Sequence, residues 1–189
     1  MIYFTSDTHF GHANAIGFTN RPYDSVVQMN NGLIDQINYW VGPDDVLYHL
    51  GDFSFRIPQE QAVDIRSQIK CKNVHLIPGN HDKNWSHDSV KGVFHVEKDI
   101  CVIKDGAQKL VLSHYPIADW AGKQYRSIHL HGHIHSVGQE YNRINRQKGI
   151  LRYDVGVDAN DYRPVRLEEI YHWFRDVENV QGHSWKSWI

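Results

Sequence analysis

The chain has 189 residues, 41% hydrophobic and 22% charged, with a formal net charge of −2. That is the profile of an ordinary globular domain with one sizeable core, and it lacks the global basic excess of a nucleic-acid binder, although a local basic patch stays open. No apolar run nears the roughly 20 residues of a bilayer span, Met1-Ile2-Tyr3-Phe4 does not read as a signal peptide, and Cys71 and Cys101 make neither a disulfide framework nor a thiolate zinc site. A cytoplasmic protein with reduced thiols and no membrane partner is expected.

In chain order, Ile2 to Ser6 is a short β-prone run followed by Asp7-Thr8-His9, whose Asp7 and His9 can point the same way on an extended chain. Phe10-Gly11-His12 turns into a short helix, and Arg21-Pro22-Tyr23 is a loop. Asp24-Ser25 caps a helix to about Trp40, with Val27, Leu33, Ile34, Ile37 and Trp40 as its apolar face, and Gly42-Pro43 stops it. Asp45 to Leu50 is the second strand, closed by Gly51-Asp52. Pro58 to Lys70 reads as a helix with Val63, Ile65 and Ile69 inward. Val74 to Ile77 is the third strand, ending in Gly79-Asn80-His81-Asp82. Strand alternating with helix argues for a layered α/β fold.

The second half changes rhythm. Val93 to Val96, Ile100 to Lys104 and Lys109 to Ser113 are short strands, the last two joined by a hairpin turn at Asp105-Gly106. Arg126 to His131 and Ile150 to Val155 are further strands, and Arg163-Pro164-Val165-Arg166 leads into a helix from Leu167 to about Val177. The tail from Gly182 to Ile189, with Trp185 and Trp188, reads as an extended segment docked on the domain. A single domain over residues 1–189 is expected.

Five strand ends carry chemically capable side chains: Asp7-x-His9, Gly51-Asp52, Gly79-Asn80-His81-Asp82, Ser113-His114 and Gly132-His133-x-His135. Loops after the carboxyl ends of strands are where open α/β sheets hold ligands. Carboxylate, imidazole and amide oxygen suit divalent metals, and a shared carboxylate can bridge ions about 3.5–4 Å apart. Asp7, His9, Asp52, Asn80, His114, His133 and His135 give enough ligands for two ions if one of them bridges. Such a mixed set suits Mn²⁺ first, with iron, zinc, cobalt or nickel also accommodated.

These motifs, in this order from Asp7 to His135, resemble those of the calcineurin-like metallophosphoesterase family. The resemblance implies a four-layered α/β/β/α sandwich with a dinuclear centre between its sheets. It places Asp7, His9, Asp52 and His135 on one ion and Asp52, Asn80, His114 and His133 on the other, with Asp52 bridging. It implies hydrolysis of phosphodiester or nucleotide-type phosphate esters by a hydroxide that the metals activate, with His81 on the substrate side as proton donor or transition-state partner. Asp82 either orients His81 or caps the turn. The family's protein phosphatases carry an Asp where this chain has Phe55, which argues against phosphoprotein substrates and leaves His81 without an assigned partner.

His12, Arg21 and Arg56 follow site loops and are candidates to meet the substrate phosphate, the arginines as planar donors; helix capping for His12 and a solvated surface for each Arg are the plainer roles. His129 and His131 read as sheet residues beside the ligands, and His49 and His75 as structural. The short span from Asp82 to His114 has no room for a large cap domain, and the chain after His135 has room for one strand-helix unit. A silent scaffold of the same fold and a small nuclease resembling the Mre11/SbcD group are the alternatives. All ligand positions are filled, which disfavours the first, and the added DNA-binding regions of the second are lacking.

Overall fold

The computed structural model describes residues 1–178, so the tail from Gly182 lies outside the described residues. In chain order its elements are β1 (Ile2–Thr5), α1 (Ala13–Phe18), α2 (Val26–Trp40), β2 (Val46–His49), α3 (Gln59–Ser67), β3 (Asn73–Leu76), β4 (His95–Val96), β5 (Ile100–Asp105), β6 (Gln108–Ser113), β7 (Ile128–His131), α4 (Glu140–Gln147), β8 (Arg152–Asp154), β9 (Val165–Arg166) and α5 (Leu167–Phe174). They make two sheets, ordered β4-β3-β2-β1-β9 and β5-β6-β7-β8. β1 to β4 run parallel and β9 antiparallel to β1. The second sheet is parallel except for the β5-β6 hairpin. The mixed α/β class and the paired sheets expected from the motifs are both present.

Alternation along the strands separates two apolar layers. Tyr3, Leu47, Val74 and Leu76 pack under α2 and α3, while Phe4, Leu50 and Ile77 meet Leu110, Leu112, Ile128 and Leu130 of the second sheet. The Ser25 hydroxyl caps α2 by accepting from Gln28 N–H at 3.2 Å. Met29, Leu33, Ile34 and Ile37 are its buried residues. Val27 and Trp40, expected inward, are 65% and 37% exposed. Val26, beside Val27 in the first turn, packs against the core instead.

The hairpin turn falls one residue later than expected: Asp105 pairs with Gln108, and Gly106 begins the loop at φ +55°. The region after His135 holds more than one strand-helix unit, because α4 and β9 are also there. The sequence Glu140-Tyr-Asn-Arg-Ile-Asn-Arg-Gln shows no apolar stripe, since the residues α4 buries are Asn142 and Asn145. The Asn142 amide pairs with both the N–H and the C=O of Asp154, at 2.7 and 3.0 Å. It thereby covers the open edge of β8, a group that would otherwise need water or another strand.

One buried ion pair ties the loop after α1 to the turn after β8. Arg21 donates through Nε and Nη2 to the two oxygens of Asp158 at 2.8 and 2.9 Å, and through Nη1 and Nη2 to the carbonyls of Thr8 and Asp7 at 2.9 and 2.8 Å. Burial alone would raise the Asp158 carboxyl; hydrogen bonds from His135 and Arg21 outweigh it and hold the group near 2. Arg21 therefore does not meet substrate as expected: its side chain is fully buried and it serves the scaffold of the Asp7-Thr8-His9 loop. Removing one partner of such a pair leaves a buried charge uncompensated, at a cost of roughly 3–5 kcal/mol. Arg21→Ala in metal-free protein is expected to lower stability by that amount in urea denaturation. A loss under about 1 kcal/mol would show that the pair is not a structural tie.

Candidate metal centre

Parallel pairing does not stop at the strand ends. Asp7 and His9 donate N–H groups to the carbonyls of Gly51 and Asp52, both at 3.0 Å, and Gly132 N–H reaches His114 O at 3.0 Å. Val157 N–H bonds Ser6 O at 3.1 Å, joining the second sheet to the first at the same mouth. The motif loops thus lie side by side. Five of the seven candidate ligands sit in the left-handed region: Asp7 (φ +57°), His9 (+49°), Asp52 (+56°), His133 (+73°) and His135 (+47°). That conformation costs an L-residue roughly 1–2 kcal/mol and is held where the surroundings over-determine it. Here it turns each side chain off its strand axis toward the mouth. Two glycines permit the close approach. A Cβ on Gly79 would lie 2.3 Å from Asp52 Oδ1, and one on Gly132 would lie 2.4 Å from Asp7 Oδ2.

The side chains form two clusters that could hold a metal ion, Asp7 with His9 and His135, and Asp52 with His114 and His133. Between them lies Asp52 Oδ2, 3.4 Å from His9 Nε2 and 3.5 Å from His114 Nε2. His9 Nε2 and His135 Nε2 are 3.1 Å apart, His133 Nδ1 and His114 Nε2 3.2 Å, and His114 Nε2 and Asn80 Oδ1 3.0 Å. Asp7 is oriented by the Ser6 hydroxyl at 2.7 Å and by the His133 N–H, which reaches both of its oxygens.

Protons cannot satisfy this arrangement easily. His114 Nδ1 faces the Leu50 carbonyl and His135 Nδ1 faces the Asp158 carboxylate, each at 2.8 Å, so both Nδ1 atoms must donate. In the neutral ring that leaves Nε2 as a lone pair; at His135 the effect of burial is outweighed by the Asp158 and Asp7 carboxylates, which push the pKa up, so a bound cation would have to displace a second proton there. The His114 lone pair then points at the Asp52 and Asn80 oxygens, acceptor against acceptor. Burial, with His135 and Arg21 adding to it, pushes His9 down to about 2, which keeps that ring neutral. Burial pushes the Asp7 carboxyl up to about 7, a penalty that a neighbouring cation reverses. Carboxylate, amide and imidazole atoms gathered this closely fit divalent cations, and the oxygen-nitrogen donor set suits borderline transition metals.

The remaining candidates divide by position. His81 is exposed at the mouth; its backbone N–H donates to Asp52 Oδ1 at 2.9 Å and its ring meets the edge of Phe55 at 4.8 Å. Asp82 does not orient His81. Its carboxylate accepts from the N–H groups of Asp52, Phe53 and Gly79 at 2.7, 2.9 and 2.8 Å, which fastens one motif loop to another. His12 stacks on Phe55 at 3.8 Å and makes no side-chain cap bond to α1. The Arg56 guanidinium lies over the Phe55 ring, 5.0 Å from its centroid. Both line the cleft beside His9 and His81. His129 and His131 are buried on β7, bonded to the carbonyls of Val111 and Gly132. His49 is held by the Thr8 hydroxyl at 3.0 Å and His75 by Glu97 at 2.7 Å, both away from the clusters. The residue that sequence reasoning missed is Asp158. Its only signal was its place in Val155-Gly156-Val157-Asp158, just past a predicted strand.

Comparison with known proteins agrees with this geometry. The model of the calcineurin-like phosphoesterase family matches residues 1–187. MJ1445, an uncharacterized protein of Methanocaldococcus jannaschii, is 33% identical over 172 residues, covering 89% of this chain and 88% of that protein. The crystal structure of AQ665 from Aquifex aeolicus, a protein of unknown function, is similar with a TM-score of 0.72 and 27% identity, over 91% of this chain and 98% of that one. Nuclease MPE of Pseudomonas putida shows a partial likeness, with a TM-score of 0.47 and 25% identity over 72% of this chain and 62% of its own, too loose to bear on activity. A family model that runs nearly the whole length, over ordered motifs that meet in space, leaves one assignment: the chain belongs to the calcineurin-like phosphoesterase family.

Proposed function

We propose that this phosphoesterase is a dinuclear phosphodiesterase. Asp7, His9, Asp52 and His135 would hold one ion, and Asp52, Asn80, His114 and His133 the other. The observation that carries the reading is the place of Asp52 Oδ2, within 3.5 Å of a ring nitrogen from each cluster and so disposed to bridge them. When bound, divalent ions lower the pKa of water toward neutrality and polarise phosphoryl oxygens. The chain's own part is orientation and proton transfer. Asp158 fixes the tautomer of His135, the Leu50 carbonyl fixes that of His114, and both present Nε2 to the mouth. A hydrogen bond that orients a metal-binding imidazole in this way is worth about 10–100-fold in metal affinity. His81, tethered by its N–H to Asp52 Oδ1 and free at its ring, donates a proton to the leaving oxygen or a hydrogen bond to the phosphoryl group.

Phe55 decides between substrate classes. It stands where the protein phosphatases of the family place an Asp beside the catalytic His, and its edge contact with His81 gives the imidazole an apolar neighbour in place of a carboxylate. Diester or nucleotide-type esters are thereby favoured over phosphoproteins, as is an open site with no inserted cap.

Binding and proton transfer are separable by mutation. Protein loaded with Mn²⁺ is expected to carry two ions per chain. Asp52→Ala is expected to lose metal and activity together. His81→Ala is expected to keep both ions and lose roughly 10²–10⁴-fold in kcat on esters with poor leaving groups, and less on p-nitrophenyl esters. Elemental analysis with steady-state kinetics reads both; loss of metal in His81→Ala would make that residue a ligand. Substrate class is read from Mn²⁺-dependent turnover of bis-p-nitrophenyl phosphate against a phosphoserine peptide. Diester turnover that EDTA abolishes, with little peptide hydrolysis, is the expected result, and robust peptide hydrolysis without diester turnover would overturn it.

A further inference from the structure

The candidate centre lies between two clefts of different make, and each reaches different ligands. One, about 600 Å³, runs from His9, His135 and His81 to Phe55, Phe18 and Val137. The other, about 370 Å³, runs from Asn80 and His114 to Tyr115, Ile117 and Ile100. Each carries an aromatic ring that the fold does not bury: Phe18 is 75% exposed and Tyr115 51%. Phe18 ends a ladder of rings in which His12 lies 6.1 Å from it and stacks on Phe55 at 3.8 Å, with the Arg56 guanidinium 5.0 Å from Phe55. Tyr115 is braced edge-on by His114 at 5.1 Å and His133 at 4.5 Å. Exposed rings beside a phosphate-sized polar centre are platforms for flat groups, because every nucleobase has a π-face to offer.

We infer that the substrate is a phosphodiester with a planar heterocycle on each side of the phosphate, a dinucleotide-type linkage, and that the site is polar in direction. This rests on the diesterase reading above. A monoester or a methyl ester would leave one cleft unused. His81 lines the Phe18 cleft and not the Tyr115 cleft, so the alcohol that leaves occupies the first and the nucleoside that stays on phosphorus occupies the second. In the reaction water's oxygen bonds to phosphorus, the bond from phosphorus to the leaving oxygen breaks, and that oxygen takes a proton from His81. One proton of the water restores the ring, and the retained half departs as a phosphomonoester.

Two substrates with the same leaving group isolate the Tyr115 side: methyl p-nitrophenyl phosphate and thymidine 5′-(p-nitrophenyl phosphate), each assayed with the Mn²⁺-loaded protein. The nucleoside ester is expected to be favoured in kcat/KM by roughly 5–150-fold, the range of one base stacked on one aromatic ring. Tyr115→Phe should keep that ratio, and Tyr115→Leu should bring it near one. The ratio is internal to each preparation, so partial loss of fold does not imitate the result. Equal efficiency on both diesters in the wild-type protein overturns the subsite. Collapse of the ratio in Phe18→Leu but not in Tyr115→Leu overturns the direction. Hydrolysis of p-nitrophenyl phosphate with neither diester turned over instead overturns the diesterase reading beneath it.

Discussion

Oxygen and nitrogen atoms of two carboxylates, four imidazoles and an amide converge in the mouth between the two sheets, some within about 3 Å of one another. Left alone, these groups would repel one another, and much of the surrounding structure reads as what holds them in place. The loops are tied by continued strand pairing through Asp7 and His9. The backbone at the ligands is forced into the left-handed region, and glycine stands where the loops touch. Strain of this kind is characteristic of sites whose geometry is set by function.

Two acidic residues carry much of that restraint without facing the mouth. Asp82 gathers three backbone N–H groups from two motif loops. Asp158 gathers Arg21, the Thr19 hydroxyl at 2.8 Å and His135, and through Arg21 it reaches the carbonyls of Asp7 and Thr8. A single buried carboxylate thus fixes the Nδ1 proton of one candidate ligand and the backbone of the loop that supplies two others. Such groups bear on affinity for metal through orientation.

The ordered motifs made the family, the α/β class and the identity of the clustered side chains legible, because strand-end position and side-chain chemistry are local properties. What stayed hidden depends on tertiary neighbours. Helix α4 buries asparagines against a strand edge, so no apolar period announces it. Arg21 follows a motif loop as a substrate arginine would, yet its partner Asp158 lies far along the chain, and that partner draws it inward. Asp82, next to His81 in sequence, points to the neighbouring loop's amides, a choice that loop packing makes. Val27 and Trp40 fit the expected apolar face yet stay exposed, while Val26 takes the core contact in the first turn.

Asp52 would bridge two ions held by the converging side chains. Anomalous diffraction from a crystal of the protein soaked in Mn²⁺, recorded near the metal edge, tests it most directly. Two peaks about 3.5–4 Å apart are expected, one beside His9 and His135, the other beside His114 and His133, with Asp52 Oδ2 in contact with both. A single peak, or two peaks away from Asp52, would contradict it.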